Sequence, residues 1–402
     1  MDKIYKSHLD NDCYKFHMGA FFWNFYKDLE AEYAYKCRDP KINLQCIYDD
    51  LMGCLAEMSE IRLLKDEQKW LFDNTKVTQD YLVNFLKGFS FDPRQVSVKK
   101  ISENPGLEIR VRGPLVQASL WEMPLMSTIS ELYFRRHYKN CYGDVVLRAK
   151  DDLGKKREVL KARIGHDPDN LTTKFFFSEF GTRRRFSAEF QDFAIGLLKE
   201  KVSNFLVGTS NMYFAKKHGL KTVGTQAHEA FMLYQALVHP EDSQRKLLRD
   251  WIDFYRGWLG ICLTDTLGPK KWDRDFTKDL MIDYNGQRHD SGDPILWAEE
   301  RIEAYKREGI DPREKTLLFS DNLTFDKALD LTVMFERKIN VSHGIGTHIT
   351  NHIPSMPEHK ALNQVIKIVR VNGRPVAKLS DDPMKAQCED PVYLNYIKHI
   401  AE

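Results

Sequence analysis

The 402-residue sequence holds no apolar run near the roughly 18 residues that span a bilayer. Its opening, MDKIYKSHLDND, is charged where a secretory leader needs an apolar stretch, so a cytoplasmic protein with no membrane partner is expected. The seven cysteines, Cys13, Cys37, Cys46, Cys54, Cys141, Cys262 and Cys388, are scattered, odd in number and without a CxxC pair, which argues against a disulfide framework or a thiolate zinc site. An excess of one charge is also missing. Sixty Lys and Arg against 58 Asp and Glu leave a formal +2, too balanced for a whole surface that binds nucleic acid. No short repeat or low-complexity tract supports a solenoid or propeller. Neither GxGxxG after the first strand nor GxxxxGK[ST] occurs, which removes the ordinary dinucleotide and P-loop ways of holding phosphates.

What is present is a globular mixture, 42% hydrophobic and 29% charged, enough for a sizeable core and unlike a disordered or coiled-coil chain. The length predicts two domains or one large barrel with additions. After about residue 170 an apolar strand repeatedly gives way to a polar cluster: KFFF (174–177) to SEFGTRRR, NFLV to GTSN (204–211), KTV to GTQAHE (221–229) and GICL to TDT (260–266). LMIDY leads to NGQRHDSGD (280–293), TLLF to SDN (316–322), and INV to SHGIGTH (339–348). Helical stretches fill the gaps; one carries Phe186, Phe190, Phe193, Ala194, Leu197 and Leu198 on a single face. Seven such strands predict an α/β barrel over residues 126–359, with functional side chains where strands end.

Residues 1–125 read differently, mixing helical stretches such as Asp66 to Phe72 with strand-like AEYAYKCR (31–38) and LEIRVRG (107–113). Alternating Leu107, Ile109 and Val111 fit a half-exposed antiparallel strand. VIKIVRV, then Asn372-Gly373, then RPVAKLS predict a hairpin. With residues 360–402 returning to it, the N-terminal region is expected to form a discontinuous α+β domain.

Glycines, hydroxyls and guanidinium groups at the strand ends suit phosphates and ribose hydroxyls. In order, NDCYKFHM (11–18), FGTRRR, GTSN, GTQAHE, RHDSGDP, FSDN, GIGT and RPVAKLSDDPMK (374–385) make the sequence resemble the nicotinate phosphoribosyltransferase family along nearly its whole length. The resemblance implies an incomplete, irregular TIM-like α/β barrel. It implies formation of nicotinate mononucleotide and pyrophosphate from nicotinate and 5-phosphoribosyl 1-pyrophosphate, in NAD salvage. ATP as co-substrate, a phosphohistidine, Mg²⁺ and a homodimer with shared active sites come with it. The chemistry is consistent with the residues: departure of pyrophosphate develops oxocarbenium character and the pyridine nitrogen needs no general base.

Carried onto this chain, the resemblance puts Phe180 and Arg183 at the pyridine ring, with Tyr14 as a second stacking residue contributed across the dimer. Thr209 is a substrate-binding residue, and Ser210 faces the nicotinate carboxylate as a neutral hydroxyl donor where nicotinamide-specific relatives have Asp. His228 is the phosphohistidine. Arg288, Asp290 and Asp321 contact ribose or phosphate, and Asp265 is the carboxylate on the Mg²⁺ side, through water. Gly344, Gly346 and Thr347 hold the 5′-phosphate, while Arg38, Lys378 and Lys385 face phosphates across the subunit boundary. The family pattern is broken at His343, where an aromatic is usual, at His348, and at Met384. His348 and His352, four apart, offer a weak metal reading, because Gly346 and Pro354 leave little helix to align them. Two rival functions stay open: nicotinamide phosphoribosyltransferase, and a non-catalytic nucleotide-binding regulator, against which Arg183, His228, Asp290 and Gly346 argue.

Overall fold

The computed structural model describes residues 3–102, 105–165, 174–380 and 386–402. Lys385 and Met384 lie outside these residues. The chain divides into two units, Met1–Arg163 with Ser178–Val223 and Ile345–Lys367, and Ile164–Phe177 with Gly224–Gly344 and Ile368–Glu402.

In the first unit β1 (Glu30–Cys37), β2 (Val96–Lys100) and β3 (Leu107–Pro114) form antiparallel pairs in the order β1-β3-β2. The alternation anticipated in β3 is real. Leu107, Ile109 and Val111 are buried, while Arg110 and Arg112 reach Glu32 across the sheet at 3.1 and 2.9 Å, an opposite-charge pairing that fixes register. This unit also holds β4 (Phe177–Glu179) from its second residue onward, β5 (Leu206–Thr209) and β6 (Lys221–Thr222).

The second unit carries β7 (Ile261–Leu263), β8 (Gly286–His289), β9 (Thr316–Phe319) and β10 (Asn340–Ile345), parallel in the order β10-β9-β8-β7. The hairpin β11 (Gln364–Val371) and β12 (Arg374–Pro375) turns through Asn372 and Gly373, whose φ angles of 45° and 76° are those of a tight hairpin turn. Seven parallel strands, β4 to β10, with helices between them make the fold an incomplete TIM-like α/β barrel together with a separate antiparallel sheet. Among the described residues no helix is long and apolar enough to cross a membrane.

Three expected strands are misplaced. LMIDY is the end of a helix, Lys278–Asp283, which buries Leu280 and Met281 and exposes Ile282; the strand is the polar GQRH that follows. Only Phe177 of KFFF enters a strand, and INV merely opens β10, which runs on through SHGI. Arg288, His343 and Gly344 are therefore strand residues rather than loop residues. The strand ends are shaped by helix caps: Ser187, Asn211 and Asp293 accept from the N–H groups of Phe190 (3.0 Å), Phe214 (3.2 Å) and Ile295 (2.8 Å).

Candidate active site

In the first unit, the chain before helix Cys13–Tyr26 lies against the loop after β5. Cys13 N donates to Ser210 O and Met212 N to Asn11 O, at 2.8 and 3.1 Å. This brings Asp12 to Ser210, whose hydroxyl donates to Asp12 Oδ1 at 2.8 Å. Asp12 stands at the helix N-cap yet its side chain makes no capping bond. Burial pushes its carboxyl pKa up, opposed by Arg183 and by hydrogen bonds from Ser210 and Thr182. Ser210 was expected to donate to a substrate carboxylate; here its single proton is committed to Asp12, so it can only accept from a ligand.

Behind this surface lies a polar layer that holds the two strand-end loops rigid. Arg185, fully buried, donates to both oxygens of Asp10 at 2.7 and 2.8 Å, so it is an internal brace. Asn211 donates to Asp10 at 2.7 Å. Thr209, expected in the binding surface, donates to Glu179 at 2.6 Å. Glu179 also accepts from Gln191 and from Gly181 N, and burial raises its pKa to about 7. Arg183, Phe180 and Tyr14 are each half-buried; two aromatic faces and a guanidinium are the groups that suit a planar anionic ring. Phe180 N donates to Ile345 O at 2.9 Å, next to Gly346. A Cβ on Gly346 would stand 2.9 Å from Phe180 O, so only glycine permits that approach. Thr347 and Arg38 are half-buried in the same unit.

The second unit holds the other cluster. His228 is the first residue of helix His228–Leu237, and its Nε2 lies 2.7 Å from Asp265 Oδ1. Asp265 Oδ2 takes Lys378 Nζ at 2.9 Å and Ser291 Oγ at 2.7 Å; Ser380 donates to Ser291 at 3.1 Å. Burial would raise the Asp265 pKa, but His228 and Lys378 outweigh it and hold the carboxyl well below the usual range. Asp290 lies 3.7 Å from His228 Nε2 and accepts from Ser320 at 3.0 Å. Desolvation of Asp290 is likewise overcome by Arg288 and His228, which lower its pKa. Arg288 donates to Gln226 O at 3.2 Å. Asp321 is half-buried after β9 and accepts from Asn322 at 2.9 Å. Gly344 is buried inside β10.

Lys378 is ion-paired with Asp265 inside its own chain's cluster. Asp265 has both oxygens engaged, Oδ1 by His228 and Oδ2 by Lys378 and Ser291, so it is the more encumbered carboxylate of the cluster. Asp265, Asp290 and His228 are the one group of side chains, among the described residues, close enough to share a metal ion. Within it, Asp290 has the less encumbered oxygen.

The departures also find explanations. His343 is fully buried, stacks on Phe319 at 5.9 Å and donates Nδ1–H to Phe176 O at 2.9 Å. It takes an aromatic's place as a neutral ring, its pKa pushed down to about 4 by burial. His348 and His352 have ring centroids 5.3 Å apart on either side of the end of a four-residue helix, Thr347–Thr350, with no carboxylate in a metal-ligating group with them among the described residues.

The nicotinate phosphoribosyltransferase family pattern matches residues 175–401, and that of its N-terminal domain matches residues 9–130. The chain belongs to the nicotinate phosphoribosyltransferase family. A nicotinate phosphoribosyltransferase of Yersinia enterocolitica is 40% identical over 397 residues, 98% of this chain and 95% of that one. The crystal structure of nicotinate phosphoribosyltransferase from Vibrio cholerae superposes with a TM-score of 0.93 at 35% identity, covering 99% of this chain and 94% of that one. The Porphyromonas gingivalis enzyme gives 0.88 at 30%, over 99% and 100%. In this member of the nicotinate phosphoribosyltransferase family, motif reading missed Asp10, Asp12, Glu179, Arg185 and Ser291. Asp12 lay within a quoted motif, with no role given to it. The others look like ordinary polar residues until the fold buries them.

Proposed function

We propose that the chain transfers the phosphoribosyl group of phosphoribosyl pyrophosphate to the ring nitrogen of nicotinate, releasing pyrophosphate, and that ATP phosphorylates His228 during the cycle. The observation that carries the ATP step is the His228 Nε2 to Asp265 Oδ1 contact of 2.7 Å. A carboxylate held ionised by Lys378 keeps the proton on Nε2, which puts the nucleophilic lone pair on Nδ1. Attack by Nδ1 on the γ-phosphorus of ATP expels ADP and leaves a phosphoramidate at a helix N-terminus, where the macrodipole favours the added negative charge. Asp265 goes on accepting the Nε2 proton, so the imidazolium formed is stabilised.

Transfer itself asks the protein for orientation and charge rather than for a base. Phe180 and Tyr14 stack on the pyridine ring and Arg183 meets its carboxylate, while Asp12 holds the Ser210 hydroxyl. Asp290 accepts from ribose hydroxyls, with Arg288 and Asp321 beside it, and Gly344, Gly346 and Thr347 hold the 5′-phosphate. Mg²⁺ would be carried on the pyrophosphate oxygens with Asp290 as its protein partner, and would supply neutralisation of the leaving group. The setting is cytoplasmic NAD salvage. Tyr14 and Arg38 complete the site of a partner copy in a homodimer; Lys378 serves its own chain. Mixing inactive Tyr14→Ala and Asp290→Ala subunits should restore part of the activity. Demonstrated hybrids without recovery would end the shared-site reading.

A further inference from the structure

Two side chains outside both clusters grip the turn that follows β10. Helix Tyr142–Gly165 carries Asp152 and Lys156 four residues apart, hence on one face. Lys156 Nζ donates to the carbonyl oxygens of His348 and His352, at 2.8 and 2.6 Å. Asp152 Oδ2 accepts from Ser355 N at 2.8 Å. All three partners are backbone atoms, so the grip fixes the path of the chain. On its far side the same turn is tied to the loop after β4: Thr350 Oγ1 donates to Gly181 O at 3.2 Å and Asn351 Nδ2 to Arg184 O at 2.6 Å. The His348 and His352 carbonyls lie where a short helix ends and intrahelical partners run out, and a cation satisfies them best. Lys156 is half-buried for this purpose; desolvation lowers its pKa to about 8, with Asp152 opposing.

We propose that Lys156 and Asp152 are positioning residues that hold the Gly346–Thr350 turn in the shape that binds the 5′-phosphate of phosphoribosyl pyrophosphate, a role that rests on the phosphate assignment made above for Gly344, Gly346 and Thr347. Backbone N–H groups bind a phosphate only when several converge on it, so a turn released on one side loses affinity. The 5′-phosphate is held alike in the ground and transition states. The loss therefore falls on KM and spares turnover at saturation.

The test is steady-state kinetics of the full chain with phosphoribosyl pyrophosphate varied at saturating nicotinate, Mg²⁺ and ATP. Lys156→Met should raise KM for phosphoribosyl pyrophosphate at least about tenfold, with kcat and the KM for nicotinate within about twofold. Inhibition by inorganic phosphate should weaken in parallel, and Lys156→Arg, which keeps a cationic donor, should recover most of the loss. Should Lys156→Met fail to fold, Asp152→Asn carries the same expectation at about threefold. An unchanged KM for phosphoribosyl pyrophosphate in a folded variant overturns the proposal alone. So does a joint fall of kcat and both affinities that Arg does not rescue. A wild-type chain without turnover would instead remove the reading beneath it.

Discussion

Replacing Asp265 with Asn alters one atom and changes the charge on which the second cluster depends. Asp265 accepts from His228, Lys378 and Ser291 at 2.7, 2.9 and 2.7 Å while fully buried. The new NH₂ must face either the imidazole N–H or the Lys378 and Ser291 donors, so at least one bond becomes a donor–donor clash. Lys378, almost buried, loses its counter-charge. Removing one partner of a buried ion pair costs about 3–5 kcal/mol, and Asn, which keeps one acceptor, belongs at the lower end, about 3 kcal/mol. The chemical effect is separate. In a Ser-His-Asp triad the same exchange releases the wrong tautomer and lowers kcat about 10⁴-fold. Here the phosphorylation of His228 should slow about 10³-fold, equivalent to about 4 kcal/mol of barrier. Rapid-quench measurement of acid-labile label from γ-labelled ATP reads this rate, and urea unfolding reads the stability. A folded Asp265→Asn enzyme that labels His228 at the wild-type rate would refute the reasoning.

His228→Ala should abolish ATP stimulation while leaving slow transfer, measured as nicotinate mononucleotide formed with and without ATP; full ATP-coupled activity would contradict the role given to that imidazole. Arg185→Met should unfold the chain or cost about 3–5 kcal/mol in urea titration, since it strands the Asp10 carboxylate; a cost within experimental error would contradict the internal-brace assignment. His343, with a folded pKa near 4 against an ordinary 6.5, binds fewer protons folded than unfolded, so it contributes stability above pH 6.5 that is lost as pH falls toward 4. His343→Phe should flatten that acid slope by up to about 1.4 kcal/mol per pH unit, read as unfolding free energy at pH 7, 6, 5 and 4. Ser210→Asp should lower kcat/KM for nicotinate about 10²-fold or more while affecting nicotinamide less, because it sets a carboxylate against the one that only nicotinate carries; an unchanged base preference in folded protein would remove Ser210 from specificity.

The strand rhythm was legible in part because several short strands end in residues with a local job: Ser187, Asn211 and Asp293 cap the helices that follow, and caps write themselves into sequence. LMIDY was misread because two buried residues in a one-turn helix look like a strand when five residues are all there is to judge. GQRH was missed because β8 is built of polar residues that hydrogen-bond inside the fold, Gln287 to Tyr305 and Trp272 among them. Of the residues the motifs single out, His228 and Asp290 are brought within 3.7 Å of each other by the fold. Side chains that hold other side chains gave no local signal: Glu179, Arg185 and Ser291 acquire meaning from residues up to 175 positions away, as the Arg185–Asp10 bond shows. Lys378 carried a signal of charge but not of direction, and only the fold turns it toward Asp265.

The most direct test supplies purified chain with phosphoribosyl pyrophosphate, Mg²⁺ and ATP, and offers nicotinate and nicotinamide in parallel, with both mononucleotides and pyrophosphate quantified. Nicotinate should give its mononucleotide and one pyrophosphate per turnover, faster with ATP than without, and nicotinamide should give at most about a hundredth of that kcat/KM. Equal or preferential use of nicotinamide, or no pyrophosphate released with either base, would contradict the account.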